Sequence, residues 1–391
     1  MAQSYFSDTS IVKSESDLIV ILGHGQLARM MYLEATQLGL NIVAVNANTK
    51  EVVNPVNKSV LPLSVDEAFS AAVAITSEFE HLPLELVEKA EATGKFLPNA
   101  KAIAAGADRI VEKQLLAGLN INNCQHVIIR QLDDLEIAKA ELGERIILKT
   151  SRDGYDGYGQ WRIFSDQDFV NIKQELHSHN FDKMPLVAER CINFQRELSL
   201  IGITDKNGNH LFYPLTENHH ADGQLVLSIA PAPKVTPELQ QKAEIAYKKI
   251  SEQLDYCGVL AIEFFQVGED LLVNEIAPRV HNSGHWTQQG CATSQFENHI
   301  RAVAGFPLGS TKVLSPVAMI NYVGHAKPKA DLFAVPNVHL HWYDKSVRPK
   351  RKMGHINVVG NTAEQLLQTV RQVKAFIPEG LAKNLAPLLN Q

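Results

Sequence analysis

The sequence predicts an α/β chain with an α+β middle section. Three observations carry that expectation. An apolar run, a helical stretch and a second apolar run open the chain in strand–helix–strand order, which implies a parallel sheet with helices on its faces. Closely spaced apolar strands with Gly, Asp and Asn turns fill the middle, which implies antiparallel sheet. A long apolar hairpin then runs into NEIAPRVHNSGHWT (274–287), a stretch holding a carboxylate, an arginine, two amides, two histidines and two hydroxyls. Folding alone gives no reason for such polar density directly after an apolar strand.

The elements follow in order. LIVIL (18–22) ends at Gly23 and reads as a buried strand; QLARMMYLEATQLG has helical spacing and stops at Gly39; NIVAV is the next strand. VAITSEF continues the pattern, followed by a helix from about Leu84 to Thr93. RIILKT, QWRIF, PLVAER, ELSLIGIT, HLFYPLTEN and QLVLSIA read as strands in close succession. A helix from Pro237 to Leu254 precedes the hairpin GVLAIEFFQVGEDLLVNEIAP, and SQFENHIRAVAG forms a helix ending at Gly305. The last part carries strands PVAMINYVG, VHLHWYD and GHINVVG and a closing helix. The expected organisation is a disordered tail at 1–17, a β-α-β domain at 18–112, a central domain at 113–304 and a small C-terminal domain at 305–391.

Composition narrows the class. The 391 residues are 45% hydrophobic and 20% charged, enough apolar content for two to three domains. A net charge of -6 argues against a nucleic-acid binder. Cys124, Cys191, Cys257 and Cys291 form no CxxC pair, which points to a reducing cytoplasm rather than zinc or disulfides. The start, MAQSYFSDTSIVKSESD, lacks a signal-peptide core, and no window approaches the roughly 18 apolar residues of a membrane span.

Several constellations carry chemistry. GHGQLARM (23–30) puts glycines at a strand-to-helix turn, where a phosphate can sit; Ala28 stands where a dinucleotide fingerprint needs its third glycine, so a plain tight turn competes with a phosphate site. KTSRDGYDGYGQ (149–160) ends one strand on Lys149 and places Gly154, Gly157 and Gly159 before the next, the pattern of a flap whose amides cover phosphates. In the hairpin, a turn at Gly268, Glu269 and Asp270 places Glu263 opposite Glu275. Like charges so placed destabilise a sheet unless a cation lies between them, and an all-oxygen donor set favours magnesium. His281 and His285 have zinc-like spacing, but Pro278 and the intervening NSG favour a loop, with Arg279, both histidines and Asn282 accepting an anion. KSVRPKRKMGH (345–355) is a basic cluster for which solvated charge and a substrate phosphate stand equal.

The carboxylate pair, the flap and the β-α-β opening together resemble the ATP-grasp superfamily. HNSGHWT, SQFENHIRA, GYDGYGQ, YPLTENHHADG and RKMGH more narrowly resemble the 5-(carboxyamino)imidazole ribonucleotide synthase family of purine biosynthesis, from Leu18 to the end of the chain. The resemblance implies an ATP-grasp fold: a pre-ATP-grasp domain, a central domain with a glycine-rich lid, and a C-terminal domain. It implies ATP- and bicarbonate-dependent carboxylation of 5-aminoimidazole ribonucleotide through carboxyphosphate, with magnesium, without biotin, in a cytoplasmic homodimer.

Residue by residue, the resemblance implies nucleotide contacts from Arg109, from Lys149, and from the flap Asp153, Gly154, Tyr155, Asp156, Gly157, Tyr158, Gly159 and Gln160. It adds the adenine hinge Glu189, Arg190, Cys191 and Ile192, then Glu197, His220, Asn274 and Glu275. Glu263 and Glu275 are the implied metal ligands, and Lys149, Arg279, His281 and Asn282 the implied catalytic groups. The bicarbonate and ribonucleotide side takes Gln26, Tyr155, Asp156, Arg279, His281, Asn282, Ser283, Lys345, Arg348, Arg351 and Lys352. The family flap reads GGYDGRG; here Asp153 replaces the first glycine and Tyr158 the arginine. Two other readings stay open: a different ATP-grasp ligase, such as the formate-using glycinamide ribonucleotide transformylase, and a nucleotide-binding regulatory protein without turnover.

Overall fold

A computed structural model describes residues 17–154 and 159–389 of the chain. The expected disordered tail before Asp17, and the flap residues Tyr155, Asp156, Gly157 and Tyr158, lie outside the described residues.

The first segment runs β1 (Leu18–Leu22), α1 (Gln26–Gln37), β2 (Asn41–Val45), β3 (Val52–Val53), α2 (Val65–Ala71), β4 (Ala72–Ser77) and α3 (Leu84–Glu91). Its sheet has the order β3-β2-β1-β4, with β1 parallel to both β2 and β4. β1 is buried along its whole length because helices cover both faces, which is why it reads as an unbroken apolar run rather than an alternating one.

A second segment holds α4 (Ala100–Ala107), α5 (Arg109–Gly118), β5 (His126–Ile129), α6 (Asp134–Leu142), β6 (Ile146–Thr150), β7 (Gln160–Ile163), α7 (Asp166–Glu175) and β8 (Leu186–Arg190). Its four strands form an antiparallel sheet ordered β5-β8-β6-β7. The flap therefore joins two paired strands, as its spacing predicts. The sequence reading missed α4 to α6, and it missed α7, which separates QWRIF from PLVAER. Ser165 caps α7 by accepting the Asp168 N–H.

The third segment holds β9 (Arg196–Thr204), β10 (His210–Phe212), β11 (Thr216–Ala221), β12 (Gln224–Ala230), α8 (Pro237–Leu254), β13 (Gly258–Val267), β14 (Asp270–Ala277), α9 (Thr287–Gly290) and α10 (Gln295–Ala304). HLFYPLTEN, expected as one strand, is two: Pro214 has no N–H to give the ladder, and the Leu215 N–H goes to the Gln240 side chain instead. α8 has the expected bounds. Thr236 caps it, Pro237 occupies its first turn, and Asp255 ends it in the left-handed region at φ 50°.

The last segment holds β15 (Val317–Val323), β16 (Val338–Trp342), β17 (Lys352–Val359), α11 (Ala363–Val373), α12 (Glu379–Lys383) and α13 (Ala386–Leu389). Its strands do not form a sheet of their own. β15 pairs with β12, so one sheet runs β14-β13-β9-β11-β12-β15-β17-β16, with β10 beside β9. Helix α10 lies between this sheet and the N-terminal one. Its Phe296 and Ile300 share a core with Ile19, Ile21 and Val259. His299 on the same helix bonds Thr76 of β4 at 2.8 Å and accepts the Val259 N–H of β13 at 3.0 Å.

Candidate active site

Strand ends from all three sheets converge on one cleft of about 860 Å³. Its wall includes Gln26, Arg109, Lys149, Gly154, Gly159, Gln160, Glu189, Arg190, Cys191, Ile192, Glu197 and His220. Glu263, Asn274, Glu275, Arg279, His281, Asn282 and Lys352 complete the expected set found there. Residues spread over most of the sequence are thus brought to one place.

The carboxylate pair is the centre of the site. Glu263 faces Glu275 across β13 and β14, as expected, but by a different route. The turn has two residues, Gly268 and Glu269, with Val267 opposite Asp270. The register then shifts between Glu263 and Phe264, leaving Asn274 as an extra residue, a β-bulge. The shorter turn and the bulge cancel, so the two glutamates still meet. Burial and the Glu275 carboxylate hold the Glu263 carboxyl above the usual range. Next to Glu275 on β14, the Asn274 Oδ1 is buried without a hydrogen-bond partner, and the residue lines the same cleft. Two facing carboxylates and an orphaned amide oxygen form an all-oxygen donor set, and that set fits a hard divalent cation.

Lys149 is tied down on the opposite wall. Glu189 bridges its ammonium and that of Lys113, each at 2.6 Å. Lys113 and Glu189 are only 1% and 5% exposed. Burial works against the charged carboxylate, but Lys149 and Lys113 outweigh it and hold Glu189 down to about 2. Helix α5 supplies Lys113 and also Glu112, whose Oε2 accepts the Ile276 N–H at 2.9 Å. Burial pushes Glu112 up to about 7 against the pull of Lys113. Arg109, at the start of α5, donates to Thr150 O at 3.2 Å and Gly154 O at 3.4 Å, so it braces the base of the flap.

Asp153 occupies φ 59°, a left-handed conformation that glycine takes freely and aspartate tolerates. Its carboxylate is exposed and lies 3.9 Å from His81. Further along the cleft, the His220 Nδ1 meets Glu197 Oε2 at 2.6 Å, and Phe194 stacks on Phe265 at 4.5 Å.

The anion side needs several corrections. Arg279 is not a free cation: Glu80 takes its Nε at 2.5 Å and its Nη2 at 3.1 Å in a two-point fork. Ser283 is off the wall and fully buried, and its hydroxyl serves Ser199 and His281. Asn282 and Asn321 exchange amide hydrogen bonds at 3.0 and 2.7 Å. Arg348 is exposed, away from the cleft wall, and Arg351 folds back to donate to Ser346 O and Oγ. Lys345 reaches Gln26 Oε1 at 2.5 Å, and burial, with Arg351 nearby, lowers it to about 8. His281 and His285 turn to different partners, Ser283 and Gln295, so they do not converge on a zinc ion. The GHGQ turn holds no free phosphate site either: Glu78 accepts the Gly25 and Ala28 N–H groups and fills the helix terminus with the protein's own anion.

Glu78, Glu80, Glu112 and Lys113 were not read from the sequence as site residues. The signal for the first two was present in SEFE, acids placed just past a parallel strand, where ligands bind in open α/β sheets. For Glu112 and Lys113 the signal was charge on the apolar face of a helix, shared with Ile110 and Leu116.

The chain matches three family models: a ribonucleotide synthetase preATP-grasp domain at 17–106, an ATP-grasp domain at 114–296, and a phosphoribosylaminoimidazole carboxylase C-terminal domain at 317–369. Fold and site thus define an ATP-grasp ligase. The N5-carboxyaminoimidazole ribonucleotide synthase of Vibrio cholerae is 44% identical over 378 residues, covering 94% of this chain and 100% of the relative. The Escherichia coli enzyme of the same name is 35% identical, with 94% and 97% covered. The crystal structure of the Thermus thermophilus N5-carboxyaminoimidazole ribonucleotide synthetase superposes with a TM-score of 0.83 at 38% identity, covering 92% of this chain and 99% of the other. The Aspergillus clavatus synthase, in complex with ADP and 5-aminoimidazole ribonucleotide, superposes at 0.81 with 27% identity, covering 94% and 99%. The chain belongs to the N5-carboxyaminoimidazole ribonucleotide synthase family, the family its motifs resemble.

Proposed function

We propose that this chain carboxylates 5-aminoimidazole ribonucleotide to the N5-carboxyamino product, using ATP and bicarbonate, in purine biosynthesis. The observation that carries the reading is the Glu263–Asn274–Glu275 cluster, set in the same cleft as the Lys149–Glu189–Lys113 bridge and the Arg279–His281 wall.

Bicarbonate is a poor electrophile. Transfer of the ATP γ-phosphoryl group to it gives ADP and carboxyphosphate, which releases carbon dioxide and phosphate. The exocyclic amine of the ribonucleotide then forms the N–C bond and loses a proton. Glu263, Glu275 and Asn274 would hold magnesium, which would supply charge neutralisation on the ATP phosphates. Lys149 turns from Glu189 toward those phosphates, while Glu189 keeps its charge paired through Lys113. Glu197 and His220 line the nucleotide end, and Arg190, Cys191 and Ile192 edge the adenine position. Gly154 and Gly159, at the two ends of the glycine-rich stretch, line the phosphate end of the cleft. Arg279, fixed by Glu80, presents its remaining N–H groups beside His281 and Asn282, where bicarbonate binds. Lys345 and Lys352 take the ribonucleotide phosphate. The working assembly is a cytoplasmic homodimer.

Carbon-13 bicarbonate tests the reading. With ATP, magnesium and 5-aminoimidazole ribonucleotide, label enters the carbamate carbon of the product. Glu275→Gln lowers that rate by at least about 100-fold, the scale of losing a main electrostatic group. Wild-type turnover in the variant contradicts the metal assignment.

A further inference from the structure

His281 stands on the cleft wall with its Nε2 3.6 Å from Glu263 Oε1. Behind it runs a line of buried polar groups. His281 Nδ1 lies 2.8 Å from Ser283 Oγ; Ser283 Oγ is 2.8 Å from Ser199 Oγ; Ser199 Oγ is 2.9 Å from Asn218 Nδ2; Asn218 Oδ1 is 2.7 Å from Ser228 Oγ. Ser199, Ser228 and Ser283 are fully buried.

The proton positions in this line follow from one backbone contact. The Ser283 N–H donates to His281 Nδ1 at 3.3 Å, so Nδ1 offers a lone pair and carries no proton. The short Ser283 contact then requires the Ser283 hydroxyl to donate to the same Nδ1. A hydroxyl has one proton, so Ser199 must donate to Ser283. Asn218 must therefore turn its amide nitrogen to Ser199, which leaves its oxygen to accept from Ser228. Each step is met by the observed pairing, and the line closes without an unpaired member.

We infer that Ser283, Ser199 and Asn218 are positioning residues that lock His281 as the Nε2–H tautomer, so that it presents a hydrogen-bond donor to the oxyanion substrate rather than a base. The inference rests on the reading that bicarbonate binds at this wall. It gives Ser283 a role other than the substrate contact expected from the motif. A donor aimed at an oxygen on which negative charge persists through phosphoryl transfer stabilises that charge, whereas a bare Nε2 lone pair would repel it. The partner of the far nitrogen sets which tautomer is present.

The test uses the whole protein labelled with nitrogen-15 in histidine, at one pH, without ligands. A His281→Gln spectrum identifies the His281 signals. The expected result is a proton on Nε2 alone in the wild type and a mixture, or Nδ1–H, in Ser283→Ala. Ser283→Ala is also expected to raise KM for bicarbonate or lower kcat by about 10–100-fold, with KM for ATP unchanged. Ser199→Ala, one step further back, shifts both readouts the same way but less, and serves if Ser283→Ala fails to fold. A wild-type proton on Nδ1 overturns the proposal, as does an unchanged tautomer in the folded variants. The spectrum is read without turnover, so it stands apart from failure of carboxylation itself, which would overturn the functional reading instead.

Discussion

Lys345, proposed to take the ribonucleotide phosphate, would link the burial of a single side chain to turnover. It is charged below about 8 and neutral above, because burial disfavours its ammonium form and Arg351 adds like charge. The dependence of kcat/KM for the ribonucleotide therefore falls as pH rises through about 8, since that parameter reports the free enzyme. Lys345→Met flattens that limb and lowers kcat/KM by roughly 10–100-fold, the scale of one charge-assisted hydrogen bond. A pH profile of both proteins checks this. The sequence marked the basic run but could not rank its members. Lys352 lines the cleft and Lys345 reaches Gln26 on its wall, while Arg348 stays in solvent.

Among the elements, α5 and β8 are tied by charge. Glu189 carries two ammonium groups, and Lys113 has almost no access to water. Glu189→Leu removes the carboxylate in direct contact with buried Lys113, leaving Glu112 as its neighbouring acid, and costs about 3–5 kcal/mol in denaturant unfolding. Changing Lys113 to Met in the same protein recovers most of that loss, because the exposed side of Lys149 can be solvated; a double-mutant cycle reads the coupling. The pH sign follows from the depressed carboxyl. Its contribution is fully present above the unfolded value of about 4.3 and is lost as pH falls toward about 2. Additive single and double losses would contradict the bridge. The hairpin teaches a complementary lesson: alternation and index arithmetic placed Glu263 against Glu275, yet nothing in GEDLLVNE announced the bulge that re-aims Asn274. Period was legible at this scale; turn length and local irregularity were not.

At the scale of the whole molecule, the strands were largely readable and their assembly was not. Apolar runs marked most strands because buried strands are continuous in sequence, but pairing is non-local. Nothing in QLVLSIA or PVAMINYVG says that β12 pairs with β15 and carries the C-terminal strands into the central sheet. That continuity has a consequence. A chain ending at Gly305 exposes the edge of β12 and the apolar core that Leu227 and Ile229 share with Ile320 and Ile356. It is expected to be insoluble or to aggregate, as read by sedimentation of the truncated protein; a soluble, ATP-binding fragment would contradict a shared sheet. The cleft is likewise a product of assembly, since its walls come from three sheets and the motifs that line it are far apart in sequence.

The most direct measurement is ADP release by the purified protein with magnesium and ATP under three conditions: bicarbonate with 5-aminoimidazole ribonucleotide, bicarbonate alone, and formate with glycinamide ribonucleotide. The account predicts rapid stoichiometric ADP release only in the first. Release with formate and glycinamide ribonucleotide, or none above background in the first condition, would contradict it.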